Sequence, residues 1–400
     1  MSTTMIGIHD ISLATTTFTL GVDELAQASG ADVDKYRLGI GQDAQSVPAA
    51  DEDIVTLAAS AAQPIIERHG MDSLTTVILA TETGIDQSKS AGLYVHSLLN
   101  LPTNVRVVEL KQACYAATAG LQFAAGLLSR NSAEKILVIA TDIARYDVGS
   151  SGESTQGAAA VAFLMARDPA IAVVEPVSGL FSADIMDFWR PNHRSTARVD
   201  GAASVTAYLE ATTNAFDNYL DKGGQALDSF AAFCYHQPFT KMASKAHQHM
   251  LDSHGIDSGA ERVEHDVGAS TIYNRAIGNS YTASLYVGLM SLLDHSGDLA
   301  GKSVALISYG SGCVAEFFTL TIRPGYREHL RTNETQKSLA GREPIDYQRY
   351  LSLRDTQGIP GRDHEFDRQT VSDFRLAAIV DEKRIYRPNT IDRLAAKTAG

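Results

Sequence analysis

The chain has 400 residues, 44% of them hydrophobic, and a formal net charge of −13. Single cores stop growing at about 250 to 300 residues, so this length implies two halves or two domains. The acidic balance excludes a broad nucleic-acid or anionic-membrane surface, which needs clustered Lys and Arg, and any polyanionic ligand must be met by a local basic patch.

Three cysteines occur, Cys114, Cys234 and Cys313. None is paired in a CxxC, so neither a disulfide framework nor a structural zinc site is expected, and a reducing cytoplasm fits. Positions 1–20 hold no basic stretch followed by an apolar block, and nowhere do about 18 apolar residues run together, so the chain reads as soluble and unexported.

From Asp53 onward the periodicity predicts a helix over 54–69, a strand over 76–80, a helix over 88–99 and a strand over 105–110, the alternation of a layered α/β fold. A small-residue helix over 115–129 follows, then strands over 135–141, 158–165 and 171–174. After an irregular polar stretch, 188–201, the order repeats: a helix over 205–220, a strand over 230–235, helices over 241–251 and 281–293, and strands over 304–308 and 315–321. The repetition suggests an internal duplication, with the glycine-led apolar runs 157–163 and 312–318 as counterparts. The expected division is 1–175, 176–325 and a charged extension, 326–400. That extension loses strand signals, as in 342–354 and 381–393, and reads as a helical or partly ordered surface segment.

Cys114 follows the strand over 105–110 and opens Cys114-Tyr115-Ala116-Ala117-Thr118-Ala119-Gly120. At a helix N-terminus the unpaired amides and the dipole favour thiolate, and a structural buried cysteine fits the position equally well. His236 ends the strand over 230–235 just before Pro238, at the strand end where α/β sheets bind ligands, although a hydrogen-bonded structural histidine is the commoner occupant of such a place. Glu82 occupies the equivalent position after 76–80, as a general base or the neighbour of a helix cap. Asn279 precedes a helix that it can also cap. Each signal alone is weak. A cysteine, a histidine, an acid and an asparagine at the element ends of a duplicated chain together describe an acyl-transfer site.

The strings Gly39-Ile40-Gly41-Gln42, Ala80-Thr81-Glu82-Thr83, Lys111-Gln112-Ala113-Cys114-Tyr115-Ala116-Ala117-Thr118, Asp187-Phe188-Trp189-Arg190-Pro191, Gly278-Asn279-Ser280-Tyr281-Thr282 and Ser308-Tyr309-Gly310-Ser311-Gly312 stand in this order in the chain. They resemble those of bacterial hydroxymethylglutaryl-CoA synthases. The resemblance implies a thiolase-like α/β fold, with two duplicated βαβαβ halves in a five-layered αβαβα arrangement. It also implies a homodimer that condenses acetyl-CoA with acetoacetyl-CoA, with no metal or redox cofactor. By the same resemblance Cys114 takes the acetyl group, Glu82 removes a methyl proton from it, and His236 polarises the C3 carbonyl of the acceptor. Tyr146, Thr155, Ser204, Asn279 and Ser311 match family positions that contact the acyl substrate. Lys241 and Lys245, four apart on one predicted helix face, match the lysines that meet the CoA phosphates. Backbone amides near Cys114 and Ser311 are natural oxyanion donors. The segment 192–198 and the tail beyond Gly325 resemble the family least. Cys313 departs from it, standing where a small apolar residue is usual, as a second oxidisable thiol or a packing substitution.

Other signals are set aside. Gly310-Ser311-Gly312-Cys313-Val314-Ala315 satisfies the dinucleotide pattern, yet 316–321 continues as a strand, and without a helix N-terminus the phosphate site is lost. His247, His249 and His254 share a polar segment that reads as a solvated helix end rather than a metal site. Three rival functions stay open: a ketoacyl synthase of the same superfamily, which lacks a base at the Glu82 position; a synthase acting on a carrier-protein-bound ketone; and a non-catalytic scaffold.

Overall fold

The computed structural model describes residues 5–131, 133–356 and 363–389. Strands β1 (Ile6–Thr15), β2 (Leu74–Ala80), β3 (Arg106–Leu110), β4 (Lys135–Ile143), β5 (Ala158–Arg167), β6 (Ala172–Ser182), β7 (Ala232–Tyr235), β8 (Ser303–Gly310) and β9 (Val314–Ile322) form one sheet, in the order β7-β8-β9-β6-β1-β5-β4-β2-β3. Strand β2 is parallel to β3 and β4, and β7 is parallel to β8. Strands β5 and β9 run antiparallel to their neighbours. The runs β1-β5-β4-β2 and β6-β9-β8-β7 are therefore the same arrangement twice. They meet where Gly7 pairs with Val173 and Ile8 with Ala172. A Cβ on Gly7 would stand 2.0 Å from the Ala172 carbonyl oxygen, so this crossing requires glycine.

Helices α1 (Ile54–His69), α2 (Ala91–Leu98), α3 (Ala116–Arg130), α4 (Gly201–Asp221), α5 (Met242–Ser253), α6 (Ala260–Ile277) and α7 (Ser284–His295) cover and separate the two half-sheets. Alternate strand residues point to opposite faces. In β5, Ala159, Val161, Phe163 and Met165 join α3 and α7 in a central core, while Ala158, Ala160, Ala162 and Leu164 join α1 and α2 in an outer one. In β8, Val304 and Leu306 join the central core, and Ala305 and Ile307 join a third core with α4 and α5. The result is the five-layered, thiolase-like αβαβα stack, with α3 and α7 as its middle layer.

Three features depart from the sequence expectations. Strand β1 was not predicted, because His9 and Asp10 interrupt its apolar run. Asp10 is fully buried there and is held by Arg331, Arg68 and His69 from distant segments. Helix α6 was also missed, its buried Val263, Val267, Tyr273 and Ile277 being diluted by charged neighbours. The third departure is the extension, which folds as helices Thr332–Ala340 and Tyr347–Thr356 and the antiparallel pair Phe374–Val380 and Lys383–Pro388. It is no surface appendage. Phe374 enters the α1/α2 core, and the Thr370 hydroxyl donates to the buried Glu52 carboxylate at 2.6 Å. The supposedly strandless run 381–393 thus contains a strand, and positions 390–393 lie outside the described residues.

Candidate active site

The nucleophile candidate is set by a strained turn. Between β3 and α3, Ala113 adopts φ 43, a left-handed conformation costly for a residue with a Cβ. Cys114 follows, 8% exposed, and its Sγ donates to Glu82 Oε2 at 3.3 Å. Glu82 leaves the end of β2, whose parallel neighbour β4 delivers Asp142 beside it. Fully buried, Asp142 accepts from Thr81 Oγ1, Glu82 N, Thr83 N and Thr83 Oγ1 through one oxygen, at 2.6 to 3.0 Å. Its other oxygen accepts from Thr282 N at 3.1 Å and Thr282 Oγ1 at 2.5 Å. One carboxylate therefore ties the Glu82 loop of the first half to the 278–282 turn of the second.

That turn also depends on close backbone approach. Gly278 has φ 84, and a Cβ on it would lie 2.0 Å from the Gln156 carbonyl oxygen. The Asn279 amide then donates to the Thr155 carbonyl at 2.9 Å, and Asn279 Oδ1 accepts from Tyr281 N at 2.9 Å. His236 leaves the end of β7. Its amide donates to the Ile307 carbonyl at 3.0 Å, and its own carbonyl accepts from Tyr208 OH at 2.7 Å.

A cavity of ≈ 240 Å³ receives these elements. Cys114, Tyr146, Thr155, Ser204, His236, Asn279 and Ser311 line it, together with Phe188, Tyr208, Tyr281 and Tyr309. Glu82 joins the group through the thiol. Lys241 and Lys245 do not line the cavity. Both are exposed on its flank, where Lys241 Nζ donates to the Leu38 carbonyl at 2.8 Å and Lys245 Nζ sits 5.3 Å from the ring of Phe239, a lining residue.

The electrostatics correct one expectation. The helix end does not leave Cys114 a ready thiolate: burial, with the charges of Glu82 and Asp142, holds the thiol well above its ordinary value. Burial, and then the Asp142 charge, pushes Glu82 up to about 8. Near pH 7 both groups are therefore mostly protonated, and Glu82 must lose its proton before it can accept one from the thiol. Burial alone lowers His236 to about 3, so its imidazole is neutral near pH 7 and can donate one N–H bond.

Asp142 was missed by sequence reasoning, although it ends a strand parallel to the one before Glu82. Asp187 opens one of the strings that carry the resemblance, where sequence alone attaches no role to it. It is fully buried and accepts from Tyr309 OH at 2.7 Å, Gly312 N at 2.9 Å and Ser204 Oγ at 3.4 Å. His247 departs from the solvated reading: it is buried, with Nε2 2.9 Å from Asp266 and Nδ1 3.1 Å from Tyr235 OH. Cys313 is buried in the α4/α5 core and is not a lining residue of the cavity. Among the described residues no three His, Cys, Asp or Glu side chains converge as a metal-binding group, and no helix is long and apolar enough to cross a membrane.

Comparison with known proteins matches this architecture. The family described as hydroxymethylglutaryl-coenzyme A synthase, N terminal, matches residues 3–170, and its C-terminal counterpart matches 171–255 and 248–360. Hydroxymethylglutaryl-CoA synthase of Enterococcus faecalis is 38% identical over 388 residues, covering 96% of this chain and 99% of that protein. The polyketide biosynthesis 3-hydroxy-3-methylglutaryl-ACP synthase of Bacillus subtilis is 32% identical over 379 residues, covering 88% and 89%. A crystal structure of an HMG-CoA synthase complexed with CoA superposes with a TM-score of 0.90 at 37% identity, covering 96% of this chain and 100% of that one. With both halves matched over nearly the whole chain, the chain belongs to the hydroxymethylglutaryl-CoA synthase family.

Proposed function

We propose that this protein is an acyltransferase that condenses acetyl-CoA, acetoacetyl-CoA and water to 3-hydroxy-3-methylglutaryl-CoA and CoA, in the mevalonate route to isoprenoids. The observation that carries the reading is the 3.3 Å contact of Cys114 Sγ with Glu82 in a cavity also lined by His236. In the first step Glu82 accepts the thiol proton, Sγ attacks the acetyl carbonyl, and that proton passes from Glu82 to the departing sulfur so that CoA leaves as a thiol. Glu82, its proton lost, then removes a methyl proton from acetyl-Cys114. The enolate carbon bonds to C3 of acetoacetyl-CoA while neutral His236 donates a hydrogen bond to the C3 oxygen, and the proton held by Glu82 passes to that oxygen. Water finally attacks the Cys114 thioester, one of its protons restoring the thiol and the other passing to solvent, which gives the free carboxylate.

Tyr146, Thr155, Ser204, Asn279 and Ser311 shape the acyl pocket in this scheme, and Lys241 and Lys245 meet the CoA phosphates at its mouth. The chemistry uses CoA thioesters and calls for no further cofactor. We assign Cys114 and Glu82 to a first half, 1–175, and His236 and Asn279 to a second, 176–325, with 326–400 as the extension. The protein acts as a cytoplasmic homodimer, a reading supported by the three free cysteines, by the edge position of β3, whose Val108 is 37% exposed, and by Phe123 of α3, 58% exposed.

The test supplies purified protein with acetyl-CoA, with and without acetoacetyl-CoA, and identifies products by mass, with Cys114→Ala alongside. Cys114-dependent 3-hydroxy-3-methylglutaryl-CoA is expected. Acetylation of Cys114 without consumption of acetoacetyl-CoA would move the acceptor to a carrier-bound ketone, the substrate class in the name of the Bacillus subtilis relative.

A further inference from the structure

We propose that the helix Tyr347–Thr356 of the extension is a brace for the active-site wall, with Arg354 as a positioning residue that holds the loop 144–157 and, through it, Tyr146 and Thr155. The inference rests on the acyl-transfer reading for its effect on rate, and on geometry alone for the brace.

The loop joins β4 to β5 and closes where the Ala144 amide donates to the Gly157 carbonyl at 2.9 Å. Across its interior, Gln156 Oε1 accepts from the Tyr146 amide at 2.7 Å. Arg354 completes the ring: Nη1 donates to the same Gln156 oxygen at 2.9 Å, and Nη2 to the Tyr146 carbonyl at 2.5 Å. Tyr350 OH accepts from Gln156 Nε2 and Arg354 Nη1, both at 2.8 Å. Tyr347 OH donates to Glu153 Oε1 at 3.1 Å, while the other oxygen of Glu153 holds the Gly149 amide at 2.7 Å.

Residues 347, 350 and 354 fall on one helix face, so a single surface meets the start, middle and end of the loop. Gln156 and Tyr350 are 4% and 3% exposed, which leaves little room for water to replace a lost partner. The planar guanidinium presents its two Nη groups to these acceptors in a fixed fork, a geometry that the single nitrogen of an ammonium does not offer. Tyr146 and Thr155 line the cavity with Cys114, so a loop released by even about 1 Å misaligns the acyl wall, a displacement that can cost about 100-fold in rate.

The experiment compares wild type, Arg354→Met and Arg354→Lys with Arg375→Met, which loosens the same extension at Asp51, a 3.1 Å contact away from the loop. Hydrogen exchange is read peptide by peptide, and acetylation by acetyl-CoA is read as a rate per titratable Cys114 thiol. Arg354→Met is expected to speed exchange in 144–157 at least tenfold while leaving α1 unchanged. It should slow acetylation about 10- to 100-fold with KM within threefold, and Arg354→Lys should recover only part of that rate. Arg375→Met should do neither. Wild-type loop exchange in Arg354→Met, or equal slowing by Arg375→Met, would overturn the brace. If wild type takes no acetyl group, the functional reading fails and loop exchange still decides the brace.

Discussion

Replacing Glu82 by Gln separates catalysis from stability in opposite directions. Wild-type Glu82 must be ionised to accept a proton, yet burial and Asp142 raise it from 4.5 to about 8. The folded protein thus binds this proton more tightly than the unfolded chain, and stability falls as pH rises between those two values. At about 1.4 kcal/mol per pH unit, the ionised carboxylate costs the fold at most ~5 kcal/mol. Glu82 keeps partial contact with water, which trims that cost to roughly 2–4 kcal/mol. Gln removes the charge and retains an acceptor for the Cys114 thiol. Urea denaturation is expected to show Glu82→Gln more stable than wild type by that amount at pH 8.5, with the two converging near pH 4. Condensation should be lost, and the wild-type rate should climb with pH toward a plateau above about 8. Equal stabilities at pH 8.5, or a wild-type condensation rate in Glu82→Gln, would refute the reasoning.

Asp142→Asn replaces one accepting oxygen with a donor that faces at least two others. At ~1–3 kcal/mol per stranded group, a loss of about 3 kcal/mol in denaturation and at least a tenfold drop in condensation are expected. Gly278→Ala drives a Cβ to 2.0 Å from the Gln156 carbonyl and demands φ 84 of an L-residue; a fall of more than about 2 kcal/mol in stability should accompany loss of activity. Lys241→Ala with Lys245→Ala should raise the KM for acetyl-CoA about tenfold with kcat held, and the difference should shrink in high salt. An unchanged KM would move the phosphate site elsewhere.

Much of the middle of the fold is written in local pattern. Helices α1, α3, α4 and α7 and strands β2, β4, β5, β8 and β9 follow from period and composition, because each buries its own apolar residues against a neighbour. The repeat of the two halves follows from their shared order. Cys114, Glu82, His236 and Asn279 stand out as polar residues at element ends, and the short strings around them carry the family.

Tertiary structure decided what depends on partners distant in sequence. Strand β1 can bury Asp10 because Arg331, some 320 residues away, pairs with it alongside Arg68 and His69. The protonation of Cys114 and Glu82 is set by how closely β2, β4 and α3 crowd two acids and a thiol, and a local helix-end argument gives the opposite sign. The extension reads as a charged tail because its polar groups, Arg354, Tyr350 and Thr370 among them, find hydrogen-bond partners on other segments. Period and propensity describe a residue's neighbours along the chain, whereas desolvation and charge pairing depend on neighbours in space, and these the fold alone supplies.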